Sequence, residues 1–356
     1  MSRASMARKV AVAAAYGGGG LGLAGAVATG LLIGEAKLAR WAIRVPDGPP
    51  PDCDGDYGTQ FPGEPLTLAL LGDSTSVGMG AELPRQTPGA LLATGLAEIL
   101  RRPVRLHCFG VVGALSSDLY EQLHKALALK PEAAVILIGG NDVTHLIRPP
   151  VAVGHLSRVV TRLHRAGAQV VVGTCPDLGT IRPIRQPLRW VCRRWSRELA
   201  AAQTIAVVRA GGRTVSLGDL LGPDFLAAPD EMFSSDRFHP SPAGYAKAIA
   251  AILPTVAAIL GGLDEKVVAG HPARVGLMRT LPRAAVAAAE RAGTEVSAPS
   301  GGRAGRWAEL RRRVRLLAAR PADPEKPADT KTPDGTGMSD DRADDTAPHA
   351  HSVTDP

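Results

Sequence analysis

Four short, mostly apolar runs constrain this chain more than any other feature: residues 66–71 (LTLALL), 104–109 (VRLHCF), 133–138 (AAVILI) and 169–174 (QVVVGT). Runs of about six residues without regular polar alternation suit strands buried on both faces, the condition found in a parallel sheet. Stretches with helical spacing separate them. Thr87 before Pro88 reads as an N-cap and first-turn pair opening a helix to about Leu100, and Asp118 with Glu121 opens another to about Leu129. The spacing predicts further helices over 151–166, over 185–203, and from Ser241-Pro242 to about Leu260. Strands alternating with helices imply right-handed βαβ crossovers. The expected fold is therefore α/β, a three-layer α/β/α sandwich on a mostly parallel, doubly wound sheet, over about 200 of the 356 residues.

Ligands of such sheets sit beyond the carboxyl ends of the strands, so those ends are where chemistry should be sought. After the first run comes Gly72-Asp73-Ser74-Thr75, with Ser76, Gly78 and Gly80 close behind. The Lys-[Ser/Thr] ending of a P-loop is missing there and GxGxxG is not matched, which argues against a nucleotide. After the second run comes Gly110-Val111-Val112-Gly113-Ala114, and after the third Gly139-Gly140-Asn141-Asp142. Much later, Asp236 and His239 stand three apart in a loop before the last helix. An Asn beyond a strand is often only a turn former, and a lone DxxH carries no information.

In conjunction and in this order, the Gly72-Asp73-Ser74, Gly113, Gly139-Gly140-Asn141-Asp142 and Asp236-to-His239 blocks resemble the SGNH hydrolases, the GDSL-type esterases and lipases. The resemblance covers about residues 66–262 and is strongest to exported actinobacterial members with a short N-terminal hydrophobic segment. Thr75 stands where that family often has Leu, a change confined to packing at the turn. The resemblance implies a flavodoxin-like sandwich and a serine hydrolase of carboxylic esters, with no cofactor and no metal. Ester hydrolysis needs a nucleophile stronger than water, a base for its proton and donors for the oxyanion. On the family's pattern, Ser74 attacks, His239 takes and returns the proton, and Asp236 fixes the imidazole tautomer. The oxyanion hole would comprise the N–H groups of Ser74 and Gly113 and the side-chain amide of Asn141.

Asp73 and Asp142 are expected to hold loop backbone and to take no chemical step. A metal-dependent reading would use Asp73, Asp142, Asp236 and His239 as ligands, but it leaves Ser74 and Gly113 without purpose. Pocket walls are expected from 143–150 and 176–187, and the want of a long apolar lid points to short acyl chains. The same residues would serve a deacetylase removing O-acetyl groups from cell-envelope carbohydrate. A domain of another class, binding envelope glycan or lipid without catalysis, would not need all four blocks intact.

Outside that region the composition changes. No charge occurs from Val10 to Gly34, after Arg3, Arg8 and Lys9. As a helix, Val10 to Ile33 would extend roughly 36 Å, enough to cross a hydrocarbon core of about 30 Å. Residues 1–44 read as a membrane anchor with its flank, a cleaved secretory signal, or a soluble Ala/Gly helix; the basic start followed by an uncharged run is what export machinery recognises. Export, to the membrane or the cell envelope, is the expectation. Residues 45–65, rich in Pro, Gly and Asp, are expected to form a linker without regular structure. Residues 263–320 read as a basic helical extension in which Trp307, Leu310, Val314 and Leu317 make one apolar stripe among seven arginines between 303 and 320. Residues 321–356 form an acidic tail, expected to be disordered, whose nine acids against three bases leave it at −6. The chain's formal +7 is thus a sum over unlike segments and does not indicate a nucleic-acid partner. Cys53, Cys108, Cys175 and Cys192 form no CxxC pair, so a structural zinc site is not expected. Their even number permits disulfides without selecting a pairing, and Cys108 and Cys175 lie in apolar strand-like runs where a buried free thiol is the commoner state.

Overall fold

Along the first apolar run, Leu66, Leu68 and Leu70 face one side of a sheet while Ala69 and Leu71 face the other, and all are buried. That two-sided burial is the physical content of an unalternated strand. The computed structural model describes residues 30–39, 42–43, 48–218, 225, 227–262 and 295–296. The hydrophobic run before Gly30, the basic extension apart from residues 295–296, and the acidic tail lie outside the described residues.

The strands are β1 (Gly55–Tyr57), β2 (Leu66–Gly72), β3 (Val104–Cys108), β4 (Ala133–Leu137), β5 (Gln169–Gly173), β6 (Arg213–Val215) and β7 (Glu295–Val296). Among the described residues they form one sheet of order β1-β3-β2-β4-β5-β6-β7. The five central strands are parallel, and β1 and β7 are short antiparallel edges. The expected α/β class and mostly parallel, doubly wound sheet are therefore present. The order reverses at β2: the chain goes from β2 to β3 on one side, then crosses back to β4 on the other. Such a switch point opens a crevice at the carboxyl end of β2.

Residues 30–39 are helical (α1). The remaining helices are α2 (Pro88–Leu100), α3 (Leu119–Ala128), α4 (Gly140–Thr144), α5 (Pro149–Arg165), α6 (Leu188–Arg209), α7 (Pro229–Met232) and α8 (Pro242–Ile259). Helices α2 and α8 cover one face, with Leu92, Leu96, Ile252, Leu253 and Val256 against β2 and β3. Helices α3 and α5 cover the other with Leu119, Leu123, Leu156, Val159 and Leu163. Each fully buried leucine stabilises by about 1.5–3 kcal/mol, so these two layers carry the fold.

The helix starts follow local chemistry. Thr87 Oγ1 accepts from the N–H of Ala90 and Ser241 Oγ from that of Gly244, each followed by proline in the first turn. Asp118 differs from expectation: a 3-10 turn begins at Ser116, and the Asp118 carboxylate accepts from the N–H of Leu115 rather than capping α3. The longest helix among the described residues, α6, starts after Pro187 and runs six residues past the expected end, to Arg209.

Residues 45–65 also depart from expectation. Gly55–Tyr57 pairs antiparallel with β3, Cys53 and Phe61 are buried in the core, and Arg105 makes a two-pronged ion pair with Asp56. A Pro/Gly-rich composition excludes a helix here, but three residues suffice to extend an existing sheet edge.

Candidate active site

A glycine ends β2 because nothing else fits. Gly72 has φ +141°, and a Cβ there would collide with the carbonyl of Leu137 on β4. The chain then closes into a tight turn in which Asp73 N–H donates to Leu137 O, Ser76 N–H to Asp73 O, and Met79 N–H to Ser74 O. This turn lifts Ser74 above the carboxyl end of the sheet, 7% exposed. Two elements brace it from behind. Gln122 of α3 accepts from Gly72 N–H at 2.8 Å and donates to Gly72 O at 2.9 Å, and Tyr245 of α8 donates its hydroxyl to Met79 O at 2.6 Å.

The loop before α8 approaches from the other side. Its backbone closes on itself: Ser234 N–H donates to His239 O and Arg237 N–H to Ser234 O, with Arg237 in the left-handed region at φ +59°. This turn brings the Asp236 carboxylate back to the imidazole it precedes. His239 Nδ1 lies 2.5 Å from Asp236 Oδ2, and His239 Nε2 lies 2.9 Å from Ser74 Oγ. Asp236 Oδ1 also accepts from Ser234 Oγ and from the N–H groups of Phe238 and His239, at 2.7–2.9 Å. Burial pushes the Asp236 pKa up, but the hydrogen bonds from His239, Ser234 and Phe238 outweigh it and hold the carboxyl below its ordinary value. It therefore stays ionised against the imidazole. The Phe238 ring meets that of His239 edge-on at 85° and 4.9 Å, which restrains its tilt.

The second and third blocks meet across the top of β3 and β4. Asn141, in the first turn of α4, donates through Nδ2 to Ala114 O at 3.1 Å. Gly113 has φ +83°, and a Cβ there would meet nothing within 4 Å. Its glycine is required by backbone conformation rather than by crowding. The buried Asp142 carboxylate accepts from Ser116 Oγ at 2.8 Å and from Ser116 N–H, tying α4 to the glycine loop. Asp73 accepts from Thr75 N–H at 2.9 Å, and burial pushes its pKa up to about 6. Both acids thus hold loop backbone. Asp73, Asp142 and Asp236 face different partners, and among the described residues no cluster of three or more acidic, His or Cys side chains could hold a metal ion.

The buried glutamines escape a reading of the sequence. Besides Gln122, Gln203 of α6 accepts from Cys175 N–H and donates to Ile138 O, bracing the ends of β4 and β5. Their only trace is a polar residue on a helix face that otherwise carries apolar side chains. The stretches 143–150 and 176–187 turn much of their apolar surface inward: Val143, Leu178, Ile181 and Ile184 are buried together. Arg193 and Arg197 hold the buried Asp177, which caps the turn after β5. A separate cleft lined by Leu66, Leu100, Arg102, Glu132 and Leu260 lies at the amino end of β2, away from these residues.

The family model described as the GDSL-like lipase/acylhydrolase family matches residues 70–247. A GDSL-like esterase of Mycobacterium tuberculosis is 43% identical over 234 residues, spanning 62% of this chain and 74% of the relative. Among solved structures, the psychrotrophic esterase EstA of Pseudoalteromonas sp. aligns with a TM-score of 0.44 at 18% identity, covering 55% of this chain and 98% of that one. An acetylxylan esterase from Geobacillus stearothermophilus aligns with a TM-score of 0.40 at 18% identity, covering 54% and 94%.

Proposed function

The chain belongs to the GDSL-like lipase/acylhydrolase family and is a carboxylic ester hydrolase, and from that premise we propose that Ser74, His239 and Asp236 act as its catalytic triad on esters of short acyl chains. The observation that carries the reading is the unbroken line from Ser74 Oγ to His239 Nε2 at 2.9 Å and from His239 Nδ1 to Asp236 at 2.5 Å. Ser74 Oγ attacks the ester carbonyl as Nε2 takes its proton, and the resulting imidazolium is stabilised by the ionised Asp236. The proton then passes to the leaving alcohol, leaving an acyl-enzyme that water cleaves by the same route. The oxyanion is held by the N–H groups of Ser74 and Gly113 and by the Asn141 amide. One Nδ2 hydrogen of Asn141 is used on Ala114 O, which orients the group and leaves its second hydrogen for the substrate.

Short acyl chains follow from how the neighbouring loops spend their apolar residues. Val143, Leu178, Ile181 and Ile184 are buried in one cluster, so the aliphatic wall left for an acyl chain is the exposed Val111, Val112 and Leu146, enough for a short chain. Export is part of the same reading, supported by the uncharged run from Val10 to Gly34 behind a basic start. Recovery of the full chain in the soluble cytoplasmic fraction of intact cells would remove export while leaving the chemistry.

A fluorophosphonate probe tests the nucleophile: wild type should be labelled and Ser74→Ala should not. Equal labelling of the two, or none of the wild type, would sink the assignment. Chromogenic esters of increasing acyl length then test the pocket, with kcat/KM expected to fall beyond short chains. Release of acetate from envelope polysaccharide would shift the substrate to an O-acetylated carbohydrate with the same triad.

A further inference from the structure

The catalytic reading leaves the cysteines unused, and two of them are neighbours across the sheet edge. Strand β1 pairs with β3 so that Gly55 faces Leu106, Asp56 faces Arg105 and Tyr57 faces Val104. Continued one pair outward on the same face, that register sets Cys53 opposite Cys108. The Cys108 N–H donates to the Asp54 carboxylate at 2.7 Å, so the two chains still run side by side there. Cys108 packs against the buried cluster that contains Cys53, and each thiol lies close enough to shift the other's pKa. Facing residues of an antiparallel pair have Cα atoms about 4.5–5.5 Å apart, inside the span of about 4.4–6.8 Å that a disulfide bridges. Cys175 and Cys192 lie elsewhere, in the apolar cluster beside α6.

We propose that Cys53 and Cys108 are a disulfide site that fastens the chain entering β1 to the carboxyl end of β3. The reaction is thiol–disulfide exchange with a disulfide-bearing oxidant. A sulfur–sulfur bond forms between Cys53 and Cys108, the oxidant's disulfide is cleaved, and its sulfurs leave as two thiols carrying the two protons. Cys108 is partly exposed, which gives the oxidant a way in, whereas Cys53 is buried against Gly89, Leu106 and Leu70. Cys108 draws the Cys53 thiol below its ordinary pKa while Cys53 pushes the Cys108 thiol up, so Cys108 meets the oxidant and Cys53 supplies the thiolate that closes the bridge. The site is close to the chemistry. Cys108 Sγ lies 3.7 Å from the carbonyl of Ser76, two residues beyond the nucleophile, so the bridge would back the loop that carries Ser74. An exported protein meets the oxidising conditions in which such a bond persists.

The test needs no variant that could fail to fold. Full-length chain is equilibrated in a buffer of reduced and oxidised glutathione, quenched with acid, unfolded and alkylated. Its four thiols should fall to two, those of Cys175 and Cys192, and proteolysis should yield one cross-linked peptide pair containing Cys53 and Cys108. Cys53→Ser should keep its remaining thiols alkylatable under the same conditions. Retention of all four thiols in wild type, or a cross-link through Cys175 or Cys192, overturns the proposal without touching the esterase assignment.

Discussion

At the scale of single residues, the site divides into groups that would touch substrate and groups that hold those in place. On the proposed mechanism Asn141 belongs to the first. Removing one oxyanion donor costs about 3 kcal/mol of transition-state stabilisation, so Asn141→Ala should lower kcat by about 10²–10³ with KM little changed. Steady-state kinetics on one chromogenic ester decides it, and a loss confined to KM would contradict the role. Asp73 belongs to the second group and has an unusual sign. A carboxyl whose folded pKa is raised to about 6, from an ordinary 3.8, binds more protons when folded than unfolded in between. Its contribution to stability is therefore full below pH 4 and is lost as pH rises through 6, by up to about 3 kcal/mol. Asp236 has the opposite sign, since its depressed pKa contributes stability that disappears in acid. Urea unfolding of wild type and Asp73→Asn from pH 4 to 7 separates the two. The wild type should lose ground to the variant as pH rises, and the reverse trend would show that Asp73 is stabilised as the anion.

At the scale of elements, the switch in strand order at β2 explains why one turn can hold Ser74 above the sheet. Helix α3 reaches that turn through Gln122 and α8 through Tyr245, so the layers on both faces of the sheet hold the same few residues. Gln122 satisfies both backbone groups of Gly72 in a buried place. Gln122→Leu should then cost about 2–4 kcal/mol, because it leaves a donor and an acceptor unpaired away from water. Chemical denaturation measures that loss; kcat should fall with it as the turn carrying Ser74 loosens. The periodicities that define β2 to β5, α2, α5 and α8 are local properties and were legible in the sequence. Strands β1 and β6 were not, because three residues acquire strand geometry only from the neighbour they pair with. Asp118 shows the same limit, for a carboxylate two residues into a turn can cap either direction and the loop's path decides which.

At the scale of the whole molecule, α1 and the catalytic body are less separate than composition suggests. Glu35 of α1 accepts from the N–H of Leu188 at the start of α6, and Ala39 is buried in the cluster beside it. Deleting residues 1–44 should therefore lower the melting temperature by a few degrees, by removing a helix-start acceptor, while the specific activity of the folded fraction holds. Differential scanning fluorimetry with an esterase assay reads both; an unchanged melting temperature would mean that α1 contributes nothing. The sequence by itself determined the α/β class and the strands of the parallel core, and it singled out Ser74, Asn141, Asp236 and His239 as candidates, because buried strands, amphipathic helices and ordered short blocks are written in neighbouring residues. Tertiary structure alone decided that Ser74 meets a histidine 165 positions away, that two glutamines brace the turns, and that β1 pairs with β3 in a register that brings Cys53 towards Cys108. Each of those contacts depends on the register and crossing of elements distant in the chain, which no local pattern encodes.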